Sequence, residues 1–285
     1  MTRRSSPTVR RRRLGSELRR IRSERSLPAE EVVKFMGWSL SKLSRIESGK
    51  TGVTWEAVAA LLTYYGIAGE QHEALVKLAR EARQEGWWQP YSDLLSKDYT
   101  TYIDLETAAE ALRLYQSQVI PGLLQTADYA RSVIAEAGVL TLPEAEIDRR
   151  VDLRLQRQSI LDEDQPLGLW VVFDEAALRR QIGGREIMHF QLCHLAEAAD
   201  RPNVNIQVIP FGVGSHASMA GAFGIFSFPD GARDVPFIES FAGTLYLESD
   251  DEARAANLTF NHLQATALSA VNSLRFIRSV AEGYA

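Results

Sequence analysis

The stretch WSLSKLSRIESGK, residues 38–50, decides how the N-terminal part of this chain folds. Ser39 is a good N-cap for a helix, because its hydroxyl can accept a hydrogen bond from a backbone N–H of the first turn. At 100° per residue, Leu43 and Ile46 lie on one side of that helix, and Gly49 ends it. The pattern therefore predicts a short amphipathic helix with two distinct sides.

The outer side of this helix carries short hydroxyl side chains and one long cation. A helix that faces only water more commonly carries a mixture of Glu and Lys. Short side chains let a helix approach the edges of base pairs, and arginine can bind guanine O6 and N7 through two hydrogen bonds. The outer side therefore predicts contact with DNA through the following residues: Ser41, Ser44, Arg45 and Ser48, with Leu40 and Lys42 at its flanks.

Four more helices complete an all-α N-terminal domain over residues 14–87. Leu14, Leu18 and Ile21 recur with helical spacing, which predicts a first helix over residues 14–25. A second helix begins near Pro28 and ends at Gly37, so only a short, glycine-containing connection separates it from the helix at 39–48. That spacing is typical of a helix-turn-helix motif. Two further amphipathic runs follow, and GWWQP at residues 86–90 marks the domain boundary.

Charge is unevenly distributed along the chain. Residues 1–87 carry 17 Lys and Arg against 10 Asp and Glu, whereas residues 88–285 carry 15 against 27. Six of the arginines lie in residues 1–13, which we expect to form a disordered basic tail. A basic head on an acidic body indicates that the head contacts a polyanion, although a basic tail without any partner would produce the same charge pattern.

The remaining residues, 88–285, predict an α+β domain with a small mixed sheet covered by helices. Residues 102–138 read as a helix, a turn at Pro121–Gly122 and a second helix, and a long helix follows from Pro143. LGLWVVFD at 167–174 is a nearly continuous apolar run, which suits a buried central strand. Four short strands are expected between residues 203 and 249, the last two joined as a hairpin at Ala242–Gly243, before a helical C-terminus.

Candidate reactive groups in this second domain are few and isolated. His189, Cys193 and His194 share a helix, and the first two could contact one metal ion, but packing is the better interpretation of the group. The Gly-rich segment 212–221 lacks the Lys-Ser/Thr of a phosphate-binding loop. Ser215 and His216 are adjacent in sequence, which rarely gives the geometry of a catalytic triad.

Asp174 and Glu175 follow the buried strand and could act as acid and base, but a helix N-cap is the more economical interpretation. We therefore predict no enzyme activity, no catalytic residue, no cofactor and no metal. A single cysteine, the absence of an apolar signal segment and the absence of an 18–20-residue apolar run together predict a cytoplasmic protein without a membrane span.

Residues 14–66 resemble the Xre-type helix-turn-helix domain of lambda and 434 repressors. The resemblance rests on LGSELRRIRSERSLPAEEVVKFMGWSLSKLSRIESGK, and it makes the helix at 39–48 the recognition helix. It implies base contacts by Ser41, Ser44 and Arg45 and phosphate contacts by Lys50 and Thr51. We also expect DNA contacts by Ser39 and Lys42, on the same helix. Relatives usually carry glutamine where this chain has Ala29, so base specificity does not transfer.

The same resemblance implies a structural role for two charged residues. Arg22 and Glu47 fall on a pair that ties the first helix to the end of the recognition helix. Glu47 is therefore expected to stabilise the domain and not to contact DNA.

Residues 88–280 are similar to the C-terminal domain of actinobacterial antitoxin-like Xre regulators of the Scr type. Five ordered motifs carry the similarity: VIPGLLQTADYARSVI, RLQRQSIL, VVFDEAALRRQIGG, VNIQVIPFGVGSH and GAFGIFSFP with DVPFIES. Regulators of this type are thought to bind a small protein encoded beside them.

The resemblance implies a regulator that binds a double-stranded DNA operator as a homodimer. The rival hypothesis is a metabolite receptor or enzyme whose N-terminal domain only targets it to DNA. A pocket near residues 212–221 would favour that rival, and an exposed apolar patch would favour a protein partner.

Overall fold

The computed structural model describes residues 7–82, 86–136, 141–229, 232–247 and 249–285. The chain forms two compact units. The first comprises Met1–Pro90 with Thr100–Ala108, and the second comprises Tyr91–Tyr99 with Ala109–Ala285. The first unit thus extends slightly past the expected boundary at residue 87 and takes a second segment from further along the chain.

Five helices dominate the first unit, as the sequence predicts. They are α1 (Pro7–Glu24), α2 (Ala29–Met36), α3 (Leu40–Glu47), α4 (Trp55–Tyr64) and α5 (Gly69–Glu81). Their apolar sides share one core, in which Leu18, Val32 and Leu62 are completely buried. A sixth helix, α6 (Lys97–Ala108), contributes its residues from Thr100 onward to this unit.

The predicted disordered tail over residues 1–13 needs correction. Helix α1 begins at Pro7, so residues 7–13 are helical, whereas residues 1–6 lie outside the described part of the chain. Proline is well tolerated in a first helical turn, where its missing N–H has no partner to lose. Arg10 anchors this extension, because its Nη1 donates to the carbonyl oxygen of Glu81 at 2.7 Å.

Helix α1 lies unusually close to the end of α3, and two glycines permit the approach. A Cβ atom on Gly15 would lie 2.4 Å from the carbonyl oxygen of Ile46, and one on Gly49 would lie 2.7 Å from the Cα of Arg12. Gly49 also has a φ of +70°, in the left-handed region that favours glycine. Backbone contact at these two points sets the position of α3 relative to α1.

The second unit is built on a six-stranded mixed sheet. Its strands are β1 (Ala111–Gln116), β2 (Gly168–Asp174), β3 (Val204–Ile209), β4 (Phe223–Ser227), β5 (Val235–Ser240) and β6 (Gly243–Tyr246). The spatial order is β3-β2-β1-β4-β5-β6, with β1, β2 and β3 parallel and the remaining pairs antiparallel. The predicted α+β class with a mixed sheet is confirmed.

Helices connect and cover these strands. They are α7 (Ala127–Glu136), α8 (Glu144–Gln158), α9 (Glu175–Arg179), α10 (Arg185–Ala198), α11 (Asp250–Thr266) and α12 (Ala270–Glu282). On one face of the sheet, Phe260 and Leu263 of α11 pack against Tyr115, Val172 and Ile225. At the outer side of β3, α12 makes further contacts.

Strand β1 is the main error of the sequence-based prediction, which placed ALRLYQ in a helix. Leu112 and Leu114 alternate with less buried residues, as expected for a strand. Six residues are too few to show this period clearly beside the strong helix formers that precede them. Pairing with β2 on one side and β4 on the other decides the conformation, because it gives both edges of β1 a hydrogen-bonding partner.

Replacement of Gly15 by alanine tests the close contact between α1 and α3. In an ordinary helix this change would stabilise by about 1 kcal/mol through reduced backbone entropy. Here the new methyl group would collide with backbone atoms, so we expect Gly15→Ala to destabilise by about 1–3 kcal/mol. Thermal unfolding of the full chain measures the effect, and Ser16→Ala on the exposed side of α1 is the control. A Gly15→Ala variant as stable as Ser16→Ala would contradict the close approach.

Candidate nucleic-acid interface

The connection between α2 and α3 has the geometry of a tight helix-turn-helix. Gly37 ends α2 in the left-handed conformation, with its N–H donating to the carbonyl oxygen of Val33. Ser39 caps α3, because its Oγ accepts from the N–H of Lys42 at 3.2 Å. Only Gly37, Trp38 and Ser39 therefore separate the two helices, as the sequence pattern predicts.

Burial fixes which side of α3 faces outward. Leu43 and Ile46 are only 2 % exposed and belong to the core that also holds Ile21. The opposite side is open to solvent. Its exposed residues agree with the sequence pattern: Leu40, Ser41, Lys42, Ser44 and Arg45. Ser48, which the sequence places on the same side, is only half-exposed, and its Oγ donates to the carbonyl oxygen of Arg45 at 3.3 Å.

The two cations of α3 are held differently. Arg45 Nε donates to the carbonyl oxygen of Ser41 at 3.3 Å, so the side chain lies along the outer side of the helix with its guanidinium in solvent. Lys42 places its Nζ 4.8 Å from the centroid of the Trp38 ring, a cation–π distance, at the start of the helix. Arg45 is therefore central on the exposed side, whereas Lys42 is peripheral.

The residues expected to contact phosphate follow α3 directly. Thr51 N–H donates to the carbonyl oxygen of Arg45 at 3.1 Å, which folds the loop back onto the end of the helix. Lys50 is exposed and Thr51 is half-buried. Both lie at the end of α3, close in sequence to Arg45.

Arg22 and Glu47 form a two-point ion pair between α1 and α3. Arg22 Nε lies 2.6 Å from Glu47 Oε1, and Nη2 lies 2.9 Å from Oε2. Arg22 Nη1 also donates to the carbonyl oxygen of Leu27, so one side chain connects α1, α3 and the turn before α2. Hydrogen bonding to Glu47 raises the pKa of Arg22. Glu47 itself is 7 % exposed and points away from the outer side of α3.

Two arginines of the expected tail have partners within the first unit. Arg10 Nε lies 3.8 Å from Glu81 Oε2, and Arg11 Nη2 lies 4.0 Å from Asp104 Oδ2. The sequence pattern alone predicts both cations in a disordered segment available for DNA. Their acidic partners are 71 and 93 positions away along the chain, so no local sequence signal identifies these pairs.

The isolated candidates in the second unit are engaged in internal contacts. His189 Nδ1 lies 3.0 Å from the carbonyl oxygen of Ala281, and Cys193 Sγ lies 3.8 Å from His189 Nε2. Burial lowers the pKa of His194. Within the described ranges, no group of three or more His, Cys, Asp or Glu residues is placed to hold a metal ion.

His216 is buried at the ends of the parallel strands. Its Nε2 lies 3.2 Å from the Tyr115 hydroxyl and 3.5 Å from Asp174 Oδ2, while Nδ1 accepts from the N–H of Ser218. Burial beside Asp174 raises the pKa of Tyr115. Ser215 is exposed. The structure therefore joins His216 to a tyrosine and a carboxylate and leaves its sequence neighbour outside the group.

Asp174 and Glu175 also hold backbone groups. Asp174 Oδ1 caps α9 by accepting from Ala176 N–H at 2.8 Å, as the N-cap interpretation predicts. Glu175 Oε2 accepts from Phe211 N–H at 2.8 Å. Glu175 thus holds the start of residues 211–221, and the contacts of His216 hold the middle of this segment, which we call the anchored loop. Three of its apolar side chains are nevertheless exposed: Phe211, Val213 and Met219.

Comparisons with known families match two separate parts of the chain. A family profile described as a helix-turn-helix domain matches residues 13–75. A second profile, described as a domain of unknown function (DUF5753), matches residues 99–279, which is more than half of the chain. No curated protein and no solved structure matches significantly. No helix within the described ranges is both long and apolar enough to cross a membrane.

Removal of one charge from the Arg22–Glu47 pair should destabilise the first unit without changing which DNA sequence is bound. We expect Glu47→Gln to cost about 2–4 kcal/mol, between the values for exposed and fully buried pairs, because Arg22 loses its carboxylate partner. Arg22→Met should cost a similar amount, and the double variant should cost less than the sum. Thermal unfolding measures all three.

The exposed pair of Arg20 with Glu24 provides the matched control, and Glu24→Gln should leave the melting temperature unchanged. If Glu47→Gln keeps the normal melting temperature but changes which DNA sequence is bound, Glu47 contacts bases and the structural interpretation is wrong.

Proposed function

Because the chain belongs to the family of the domain of unknown function DUF5753 and carries a helix-turn-helix domain, we propose that it is a sequence-specific transcriptional regulator. Helix α3 is its recognition helix, in the manner of the Xre-type regulators that residues 14–66 resemble. One observation carries the proposal. The side of α3 opposite the core exposes Ser41, Ser44 and Arg45, and no bulky side chain stands between them.

Arg45 supplies most of the direct base recognition in this proposal. Its guanidinium lies in solvent at the middle of the outer side, where it can donate two parallel hydrogen bonds to guanine. Ser41 and Ser44 are short enough to let the helix axis come close to the base edges. Ser39, Lys42, Lys50 and Thr51 lie at the two ends of α3 and contact phosphates, which fix the register of the helix on the duplex.

Two copies of the chain bind one operator in this proposal. A single recognition helix covers only a half-site, and two half-sites one helical turn apart match a two-fold protein dimer. The net charge of +7 over residues 1–87 supports the same binding mode, because cations that displace counterions from DNA supply non-specific affinity. Operator binding places the protein in the cytoplasm, with the chromosome.

The second unit has a binding role and no enzymatic role in this proposal. The Tyr115, Asp174 and His216 side chains interact with one another and with backbone groups, so their polar atoms are already used in holding the anchored loop. The anchored loop instead offers apolar side chains to solvent. Phe211 is 57 % and Met219 is 69 % exposed. A loop that is held by buried contacts and exposes apolar side chains suits a protein partner better than a metabolite.

We propose that this partner is a small protein encoded near the regulator's own gene, as in the antitoxin-like Scr-type regulators. A metabolite would require an apolar pocket with a few convergent polar groups, and the exposed side chains of the anchored loop favour a flat contact instead. Partner binding on the second unit could then change operator binding by the first.

Arg45→Ala tests the assignment of the recognition helix. A duplex selected from random DNA by the wild-type protein should be bound about 1–3 kcal/mol more weakly, while random duplex should be bound almost as before. Lys50→Ala should weaken both duplexes alike and make the dependence of affinity on salt shallower by about one unit. Fluorescence anisotropy at several salt concentrations separates the two outcomes. If Arg45→Ala lowers the affinity for both duplexes equally, Arg45 contacts only phosphates.

Substitutions in the anchored loop test whether a small protein partner binds there. Co-expression of the chain with the small proteins encoded next to it should yield a complex that Phe211→Ser and Met219→Ser weaken at least tenfold, since interface aromatic and apolar anchors carry much of the binding energy. Phe190→Ser is the matched control, because Phe190 is 60 % exposed on α10, in a different part of the unit. If the Phe211 and Met219 variants retain the complex, the partner does not bind at the anchored loop.

A further inference from the structure

Arg154 is a half-buried arginine on α8 whose charge the proposed function does not use. The only hydrogen bond of normal geometry that it makes with the described residues runs from its Nη1 to Gln125 Oε1, at 2.7 Å. Its Nε is buried and has no hydrogen-bond partner. No carboxylate in the described part of the chain forms an ion pair with it. A charge that leaves water without a paired anion is costly to bury, so a specific role must offset this cost.

Gln125 holds the Arg154 guanidinium in place. Gln125 is 3 % exposed, and its Nε2 donates to the carbonyl oxygen of Ile120 at 2.6 Å. This contact fixes the orientation of the amide, so its Oε1 is directed to Arg154. Gln158 Nε2 donates to the carbonyl oxygens of Gly122 and Gln125, which attaches the same segment to α8. Arg154 is therefore positioned by a hydrogen-bond network that uses only its Nη1.

Arg22 of the first unit shows what occupies the other edge of such a guanidinium in this chain. Nη1 of Arg22 donates to a carbonyl oxygen, while its Nε and Nη2 bind the two carboxylate oxygens of Glu47. Arg154 likewise uses Nη1 for an uncharged acceptor, but no described residue places a carboxylate at its Nε and Nη2. This edge is the one that binds a carboxylate or a phosphate through two parallel N–H bonds.

Gly122 leaves room beside this edge. The three nearest neighbours of a Cβ atom on Gly122 would all belong to Arg154, with Cδ at 3.6 Å and both Cγ and Nε at 3.7 Å. Apart from the chain neighbours of Gly122, no other atom lies closer to that position. Because Arg154 as a whole is only half-buried, solvent reaches one side of its side chain. The site therefore has space for a small group next to Nε.

The surrounding charges favour an anion over a water molecule. Burial is the main cause of the lowered pKa of Arg154, and the positive charge of Arg157, one turn further along α8, lowers it again. Tyr99, which accepts a hydrogen bond from Arg157, and the exposed Glu239 act in the opposite direction without restoring the ordinary pKa. A water molecule would satisfy the N–H groups but supply no negative charge, whereas an oxyanion supplies both.

We propose that the Nε and Nη2 edge of Arg154 binds the carboxylate or phosphate group of a free small molecule, whose two oxygens accept two parallel N–H bonds. Only a small terminal group can reach Nε, because that atom is buried. The site shares no residue with the anchored loop, so the surface assigned to the protein partner stays available. Binding here requires neither DNA nor a second copy of the chain, and it gives the second unit a ligand beyond its proposed protein partner.

Nuclear magnetic resonance of the arginine Nε–H groups tests the contact at the proposed atom. In titrations of the full chain at constant ionic strength, acetate or inorganic phosphate should shift the Arg154 signal saturably. A dissociation constant of about 1–10 mM is expected for a ligand of so few atoms. Chloride should not shift the signal, which is identified by its loss in Arg154→Lys. Arg22 is the internal control, because Glu47 already occupies its edge and its signal should stay unchanged.

Thermal unfolding compares the variants, since an anion that binds the folded chain raises its melting temperature. Gly122→Ala adds a methyl group at ordinary contact distance from Nε and changes no charge, so it should keep the fold and weaken binding about tenfold. Arg154→Lys keeps the charge but lacks the two-point edge, so acetate and phosphate should no longer stabilise it. Arg150→Lys is the matched control, because Arg150 is paired with Glu146 on the same helix. Far-UV circular dichroism confirms that each variant is folded.

The two probe anions also distinguish the two ligand groups, because the anion with the lower dissociation constant has the chemistry that the site prefers. If neither anion shifts the Arg154 signal, or if chloride shifts it equally, the inference is wrong. Equal stabilisation of the wild-type chain and Arg154→Lys would also overturn it, since the anion then binds elsewhere. None of these readouts involves DNA. Their failure therefore leaves the proposed DNA binding intact, and a failure of sequence-selective DNA binding leaves this site intact.

Discussion

The contact between α1 and the end of α3 is the constraint on which the first unit depends. Gly15 and Gly49 bring the two backbones together, and the ion pair of Arg22 with Glu47 holds the same junction from the side. Close packing sets the distance between the helices but is non-directional, whereas the two-point ion pair fixes their rotation.

This junction explains why the outer side of α3 can carry so few large residues. A helix that is already positioned by its inner side and by its C-terminal end needs no stabilising contacts on its exposed side. Ser41 and Ser44 can therefore be short, and Arg45 lies beside them with Lys42 at the edge of the same side. Glu47 differs from these residues although it belongs to the same helix, because its carboxylate is directed into the domain and is bonded to Arg22.

The second unit holds the anchored loop through buried polar contacts. Glu175 accepts from the N–H of Phe211 at the start of the loop, and His216 in its middle meets Tyr115 and Asp174 at the ends of the parallel strands. The exposed apolar side chains of the loop therefore belong to a segment that is held at two points.

The sequence by itself determined the elements whose signals are local. The cap at Ser39, the glycine at position 37 and the buried pair Leu43 and Ile46 specify α3 and its two sides, because helix period and capping act within one or two turns. The apolar run at 167–174 specifies β2 for a similar reason. Resemblance to a known family, and not spacing, pointed to Arg22 and Glu47, which lie 25 positions apart.

Only the tertiary structure decided the features that depend on distant partners. Strand β1 exists because β2 and β4 flank it, although its residues alone favour a helix. Helix α1 extends back to Pro7, with Arg10 bonded to Glu81 across 71 positions. The position of β6 at one end of the sheet likewise follows from the order of the strands. Such pairings are set by which surfaces meet after the chain collapses, and the local sequence carries little information about that choice.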